Sequence, residues 1–139
     1  MQDFKHKIPI QLRFKDGDIM GHVNNANHLS YIELARIKYF EDVVGMDSTW
    51  SKQQGIILAH ISIDYKAPLF IHDKVWVYTR CSKLGTKSIE LMWKIVREIS
   101  GAPEIVAQGN SVLVCYDYSL NQSTLIPENY RLRIEAFER

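Results

Sequence analysis

The stretch "DGDIMGHVNNANHLSYIELARIKYFEDVVG", Asp16 to Gly45, changes character halfway along. Up to His28 it gathers two acids, two histidines and three asparagines around Gly21. Beyond that it is periodic: Ile32, Ala35, Tyr39 and Val43 recur at three- and four-residue spacing, and Leu29, Phe40 and Val44 widen the stripe. Ser30, Glu33, Lys38, Glu41 and Asp42 take other positions, and Gly45 follows. This pattern predicts an amphipathic helix from about His28 to Val44, stopped by Gly45. A stripe this wide suits a helix clasped by a sheet.

On the N-terminal side, "KIPIQLRFK" (Lys7 to Lys15) alternates after its proline, with Ile8, Ile10, Leu12 and Phe14 on one side. It reads as a strand with one buried face. On the C-terminal side, the variable connection "MDSTWSKQQG" leads into four strand-like runs. "IILAHISIDYKAP" alternates Ile61, Ile63 and Tyr65 before Pro68. "DKVWVYTRCSKL" and "KSIELMWKIVREIS" are joined by the hairpin turn "LGT". "EIVAQGNSVLVCYDY" follows the turn signal "SGAP", and its Gly109 marks a bulge or a close approach. "IPENYRLRIEAFER" predicts a short terminal helix with Pro127 near its start.

Strand, long helix, then four strands with hairpin-like links gives an α+β fold with a five-stranded, mainly antiparallel sheet. Residues 1–139 read as one domain. One helix covers one face of such a sheet, so a homo-oligomer is expected to cover the rest. The formal net charge is +1, which excludes a global field that would draw the chain to nucleic acid or an anionic membrane. The N-terminus lacks the apolar core of a signal peptide, and no run approaches membrane-spanning length. Cys81 and Cys115 lack CxxC spacing and lie in alternating apolar runs, where cysteine acts as a small buried hydrophobe. A cytoplasmic, reduced protein is expected.

The polar half of the opening stretch has three readings. Asn24, Asn25 and Asn27 suit a helix cap, with Gly21 supplying a positive φ. As a metal site, Asp16, Asp18, His22 and His28 offer oxygen and nitrogen, but no compact ligand pair on one helical turn and no nearby cysteine, so no metal is expected. The third reading is acyl chemistry. Unpaired N–H groups at a helix start form an oxyanion hole, and an upstream carboxylate, Asp18, attacks a carbonyl or activates water. A thioester suits such a site, having little resonance stabilisation and a good leaving group. The chain has no GxSxG, HExxH, P-loop or GxGxxG sequence.

"RFKDGDIMGHVNNANHLSYIELAR", Arg13 to Arg36, resembles the signature of hotdog-fold acyl-CoA thioesterases of the 4-hydroxybenzoyl-CoA thioesterase type, R-[FY]-x-D-x-D-x-x-G-H-V-N-N followed by Y-x-E-x-A-R. Arg13, Asp16, Asp18, Gly21, His22, Val23, Asn24 and Asn25 match, as do Tyr31, Glu33, Ala35 and Arg36. The later Y-x-x-P, D-x-[VL] and L-G-x-x-S segments, "LVCYDY" and "IPENYR" extend the likeness more loosely. The resemblance implies a sheet wrapped around one long central helix, hydrolysis of acyl-CoA without a cofactor, and active sites between the subunits of a homodimer or homotetramer. It makes Asp18 the catalytic carboxylate, as nucleophile or general base, and the backbone N–H of Asn25 the donor to the thioester carbonyl. It sets Lys87 and Ser88 against the CoA moiety, with Arg80 and Lys83 as further phosphate candidates.

His22, Asn24 and His60 complete the substrate-facing candidates. Their competing roles are loop orientation for His22, helix capping for Asn24, and a core or interface position for His60. Asp16 reads as structural, pairing with Arg13 or with loop amides. His28 reads as neutral and hydrogen-bonded, because a cation in the first helical turn opposes the dipole. Glu33 and Arg36 form a helical pair. Two departures from the pattern are Gly17 in "DGD" and His72 in "FIHD", where a turn glycine is commoner. Alternative functions are hydrolysis of acyl-ACP and binding of acyl thioesters without turnover.

Overall fold

Alternating apolar residues in the later runs predict strands, and their pairing decides how the sheet closes on the helix. A computed structural model of the chain describes all residues except Gln2 and 46–53. The connection expected after the helix lies mostly in 46–53, outside the described residues.

The elements are β1 (His6–Ile10), α1 (Asn25–Tyr39), β2 (Gly55–Tyr65), β3 (Lys74–Leu84), β4 (Ser88–Ile99), β5 (Ala102–Asp117), β6 (Gln122–Ser123) and α2 (Glu128–Glu138). The main sheet runs β1-β3-β4-β5-β2 with every neighbouring pair antiparallel, and the short β6 extends the end of β5. The sheet curls around α1, as expected of the hotdog arrangement.

Period-two burial sorts the strands. Val75, Val77, Ile89, Leu91, Trp93, Ile95, Ala107, Leu113 and Cys115 are buried in the core. That core has two halves. Val23, Tyr31, Ile32 and Ala35 around the first half of α1 pack with Val77, Trp93, Ile95 and Ala107. Tyr39, Phe40, Val43 and Val44 pack with Ile89, Leu91 and Leu113, and Tyr130 and Ile134 of α2 belong to the same cluster. Burial pushes the Cys81 and Cys115 thiols up to about 11, which removes them as nucleophiles near neutral pH.

The helix departs from its expected frame. It starts at Asn25, three residues early, and a π-helical turn over Phe40–Val44 prolongs it to Gly45. His28 and Tyr31 are buried, whereas Leu29 points outward. Gly45 ends the element at φ +77°, and the Arg133 guanidinium of α2 donates to the Val44 carbonyl at 2.7 Å. A β-carbon on Gly45 would sit 2.6 Å from that guanidinium. Beyond the reach of β1, the Glu138 carboxylate accepts the Cys81 N–H and the Tyr39 hydroxyl, each at 2.6 Å, so α2 covers that part of the β3 edge.

Two strand expectations need correction. The first strand stops at Ile10, and the chain then turns through a 3-10 segment, Phe14–Asp16, that leaves the Phe14 side chain exposed. The link from β2 to β3 is a crossover, because β2 pairs with β5 while β3 lies between β1 and β4. Of the two alternatives expected at Gly109, the structure has the close approach, and the bulge of β4–β5 falls nearby. A β-carbon there would lie 1.9 Å from the Ser62 carbonyl oxygen, while the β4–β5 register shifts between Ile95 and Val96. The β4–β5 hairpin closes through Ser100 and Gly101, both at positive φ, as a tight two-residue turn requires.

Candidate active site

Asp16 fixes the loop to the helix. It is buried, and its carboxylate accepts the Tyr31 hydroxyl at 2.8 Å, the Arg13 backbone N–H at 3.2 Å and the Arg13 guanidinium at 3.0 Å. Burial alone would raise its pKa, but the bonds from Tyr31 and Arg13 hold the carboxyl below its ordinary value. Burial and the same contact raise the Tyr31 phenol. The Asp16 carbonyl accepts the Asn24 N–H at 2.9 Å and the Asn27 side-chain amide at 3.0 Å. The expected structural role of Asp16, including its pairing with Arg13, is what the geometry has.

From that anchor the chain forms a small hairpin-like loop. Gly17 bridges Val23, the Asp18 N–H donates to the His22 carbonyl at 2.8 Å, and the Gly21 N–H donates to the Asp18 carbonyl at 3.0 Å. Gly21 has φ +79°, the left-handed conformation expected of it. Gly17 has ordinary extended backbone, and its lack of a side chain serves packing: a β-carbon would lie 2.7 Å from Ile71 Cγ2. The loop is closed against the 69–73 segment by the Val23 N–H on the Leu69 carbonyl at 2.6 Å and a His22–Phe70 bridge.

Asp18 is exposed within this frame. Its Oδ1 accepts the backbone N–H groups of Met20 at 2.8 Å and His22 at 3.2 Å. Its Oδ2 accepts no hydrogen bond among the described residues. The carboxylate is therefore oriented through one oxygen while the other is free of protein hydrogen bonds on an exposed residue. Four residues after Gly21 the polypeptide is already helical. Asn24 caps α1 by accepting the Ala26 N–H on its side-chain oxygen at 2.9 Å. The Asn25 N–H, at the first helical position, has no acceptor among the described residues. An unused N–H at a helix start, on the same short loop-and-helix unit as a carboxylate with one oxygen free of hydrogen bonds, suits a carbonyl group.

The other candidates separate. The His22 ring lies edge-on to Phe70, centroids 4.8 Å apart, and its backbone braces Asp18 from both sides. His28 is almost fully buried, with its ring edge-on to Tyr65 at 5.2 Å. Burial lowers its pKa, with the Asn24 and Asn25 carbonyls pulling the other way, so the ring is neutral as expected; its Nδ1 completes no hydrogen bond. His60 is exposed on β2, on the face opposite Ile61 and Ile63. Lys87 lies in the turn after β3 and Ser88 opens β4; the Gly85 N–H donates to the Ser88 carbonyl at 2.8 Å and Lys87 Nζ stands 3.5 Å from Ser123 Oγ. The Asp18 loop packs on the segment before β3. The eleven residues of β3 span about 33 Å, so one chain does not bring Lys87 and Ser88 to Asp18. Among the described residues no cluster of three or more His, Cys, Asp or Glu side chains is arranged to hold a metal.

One neighbour of the site reads from sequence only as part of the β2 alternation. The Tyr65 hydroxyl donates to the Asn25 carbonyl at 3.2 Å. The "YKAP" segment beginning at Tyr65 was the available pointer, since its four residues carry the chain to the Leu69 contact with Val23.

Residues 12–134 match the model of the Thioesterase-like superfamily. The long-chain acyl-CoA thioesterase FadM of Escherichia coli is 25% identical over 126 residues, covering 91% of this chain and 94% of that protein. The uncharacterized protein YsmA of Bacillus subtilis is 28% identical over 94 residues, or 68% of this chain, and the match spans 62% of that protein's length. Among solved structures, a Thermus thermophilus thioesterase complexed with coenzyme A and zinc superposes with a TM-score of 0.84 at 35% identity, covering 99% of this chain and 97% of that one.

Proposed function

The chain belongs to the Thioesterase-like superfamily, and from that premise we propose that it hydrolyses acyl-CoA thioesters using Asp18 and the start of α1. The observation that carries this assignment is the pairing of a tethered but half-free carboxylate with an unused helix N–H, held together by the Gly17–Val23 bridge. The thioester carbonyl oxygen sits at the Asn25 N–H, where the positive end of α1 stabilises the charge that develops in the tetrahedral state. Asp18 Oδ2 then acts in one of two ways. It attacks the carbonyl carbon, expelling CoA thiolate and leaving a mixed anhydride that water opens, or it takes a proton from the attacking water. Both routes end in a free carboxylic acid and CoA. Asn24 caps the helix start through the Ala26 N–H and leaves the Asn25 N–H free among the described residues, and His22 braces the carboxylate and lines the approach to it.

The site is completed by a second copy of the chain. Ile19 and Met20, at the tip of the Asp18 loop, and Phe14 just before it are exposed large apolar side chains, which favours a covered surface there. The partner's turn supplies Lys87 and Ser88 to the CoA moiety, and His60 on the exposed strand lines the shared cleft. No described helix is long and apolar enough to cross a membrane; the cytoplasm is the proposed location. The direct test is thiol release over aromatic, short-chain and long-chain acyl-CoAs, with one acyl group also presented on acyl carrier protein. Turnover of acyl-CoA is expected. Binding of these esters with no thiol released from any of them contradicts the assignment.

A further inference from the structure

We propose that Tyr65 is a positioning residue for the oxyanion donor, an inference that rests on the thioesterase reading above. The contacts around the helix start divide into two sets. Asp16 and Leu69 hold Asn24, Asn27 and Val23, which fixes the loop and the cap. Tyr65 alone among the described side chains reaches Asn25 itself, by donating its hydroxyl to the Asn25 carbonyl. The carbonyl of a first-turn residue keeps a second lone pair after accepting its helical bond, so the phenol adds a tether without displacing the helix.

The tether has a rigid base. Tyr65 ends β2, paired with the fully buried Ala107, and the next two N–H groups, of Lys66 and Ala67, both donate to the Val106 carbonyl. Its ring is set by the buried, neutral His28, one turn along the same helix. Sheet, tyrosine and helix start therefore form one closed circuit: β2 to Tyr65, Tyr65 to Asn25, and Leu69 back to Val23. A donor aimed at a transition-state oxygen depends on such fixation, because a small displacement at the reacting centre has a large cost in rate.

Tyr65 is 43% exposed, so Tyr65→Phe keeps the ring and leaves the core intact. With acyl-CoA as substrate, kcat of Tyr65→Phe is expected to fall about tenfold while KM changes by less than about twofold, at an unchanged melting temperature. Hydrogen exchange of the Ala26–His28 amides is expected to quicken while the Arg36–Tyr39 amides keep their wild-type rates. Wild-type kcat in Tyr65→Phe overturns the proposal, whatever the exchange rates do. A rise in KM with kcat unchanged also overturns it, because that marks a substrate-binding surface. An inactive wild-type protein contradicts the thioesterase assignment and this proposal together, so the two failures are distinguishable.

Discussion

At the residue scale the chemistry turns on how differently neighbouring polar groups are held. Asp16 and Asp18 stand two apart, yet one is buried under Tyr31 and Arg13 and the other opens to solvent with one oxygen free. The motif assigns them different roles, and their surroundings differ because Asp16 ends the 3-10 turn under Tyr31 and Arg13, whereas Asp18 lies beyond that turn in the exposed loop. His28 makes a pH signature. Its pKa is lowered by burial, so between that value and about 6.5 the unfolded chain binds a proton that the folded chain does not. Its contribution to stability is intact above about pH 6.5 and is lost as pH falls toward the folded pKa. The urea midpoint of the wild type is therefore expected to fall between pH 7.5 and 5 more steeply than that of His28→Asn. Equal slopes in the two proteins rule out a buried neutral imidazole. Asp16, also with a lowered pKa, loses its contribution only below its ordinary value near 3.8, in a separate window.

At the element scale, what the sequence makes legible is what periodicity encodes. The four later strands, the long helix with its Gly45 stop and the C-terminal helix all follow from spacing and turn residues. Spacing fails where tertiary contacts take over. Alternation from Ile8 to Phe14 continues past the point where β1 loses its partner, since β3 pairs only with His6–Ile10. No local signal tells that β2 leaves its sequence neighbour β3 for β5, a choice made by the long-range fit of the sheet around α1. Gly109 shows the difference between a flagged residue and a known reason. It carries the strand past the Ser62 backbone and Trp93, with no room for a β-carbon. Gly109→Ala is expected to destabilise the protein by about 2–3 kcal/mol in chemical denaturation, because backbone rather than a flexible side chain obstructs it. A loss below about 0.5 kcal/mol would show that β2 and β5 separate easily.

At the scale of the whole molecule, the site residues named from sequence fall toward opposite ends of β3. Asp18, His22, Asn24 and Asn25 cluster before β3, and Lys87 and Ser88 follow it. Sequence cannot give this separation, because it depends on the length and direction of a strand between two motifs. A site shared between copies predicts complementation. Asp18→Asn mixed with a Lys87→Glu/Ser88→Asp double variant, each inactive alone, regains about a quarter of wild-type activity after random subunit exchange, since about half the dimers are hybrid with one intact site of two. Mixing without recovery places the whole site in one chain. The central claim is hydrolysis by Asp18 against the helix start, and the measurement that bears on it most directly is thiol release by Asp18→Asn. The variant is expected to fold, to melt with the wild type and to retain acyl-CoA binding while kcat drops by about 10²–10⁴-fold. A folded Asp18→Asn protein that turns over acyl-CoA at the wild-type rate contradicts it.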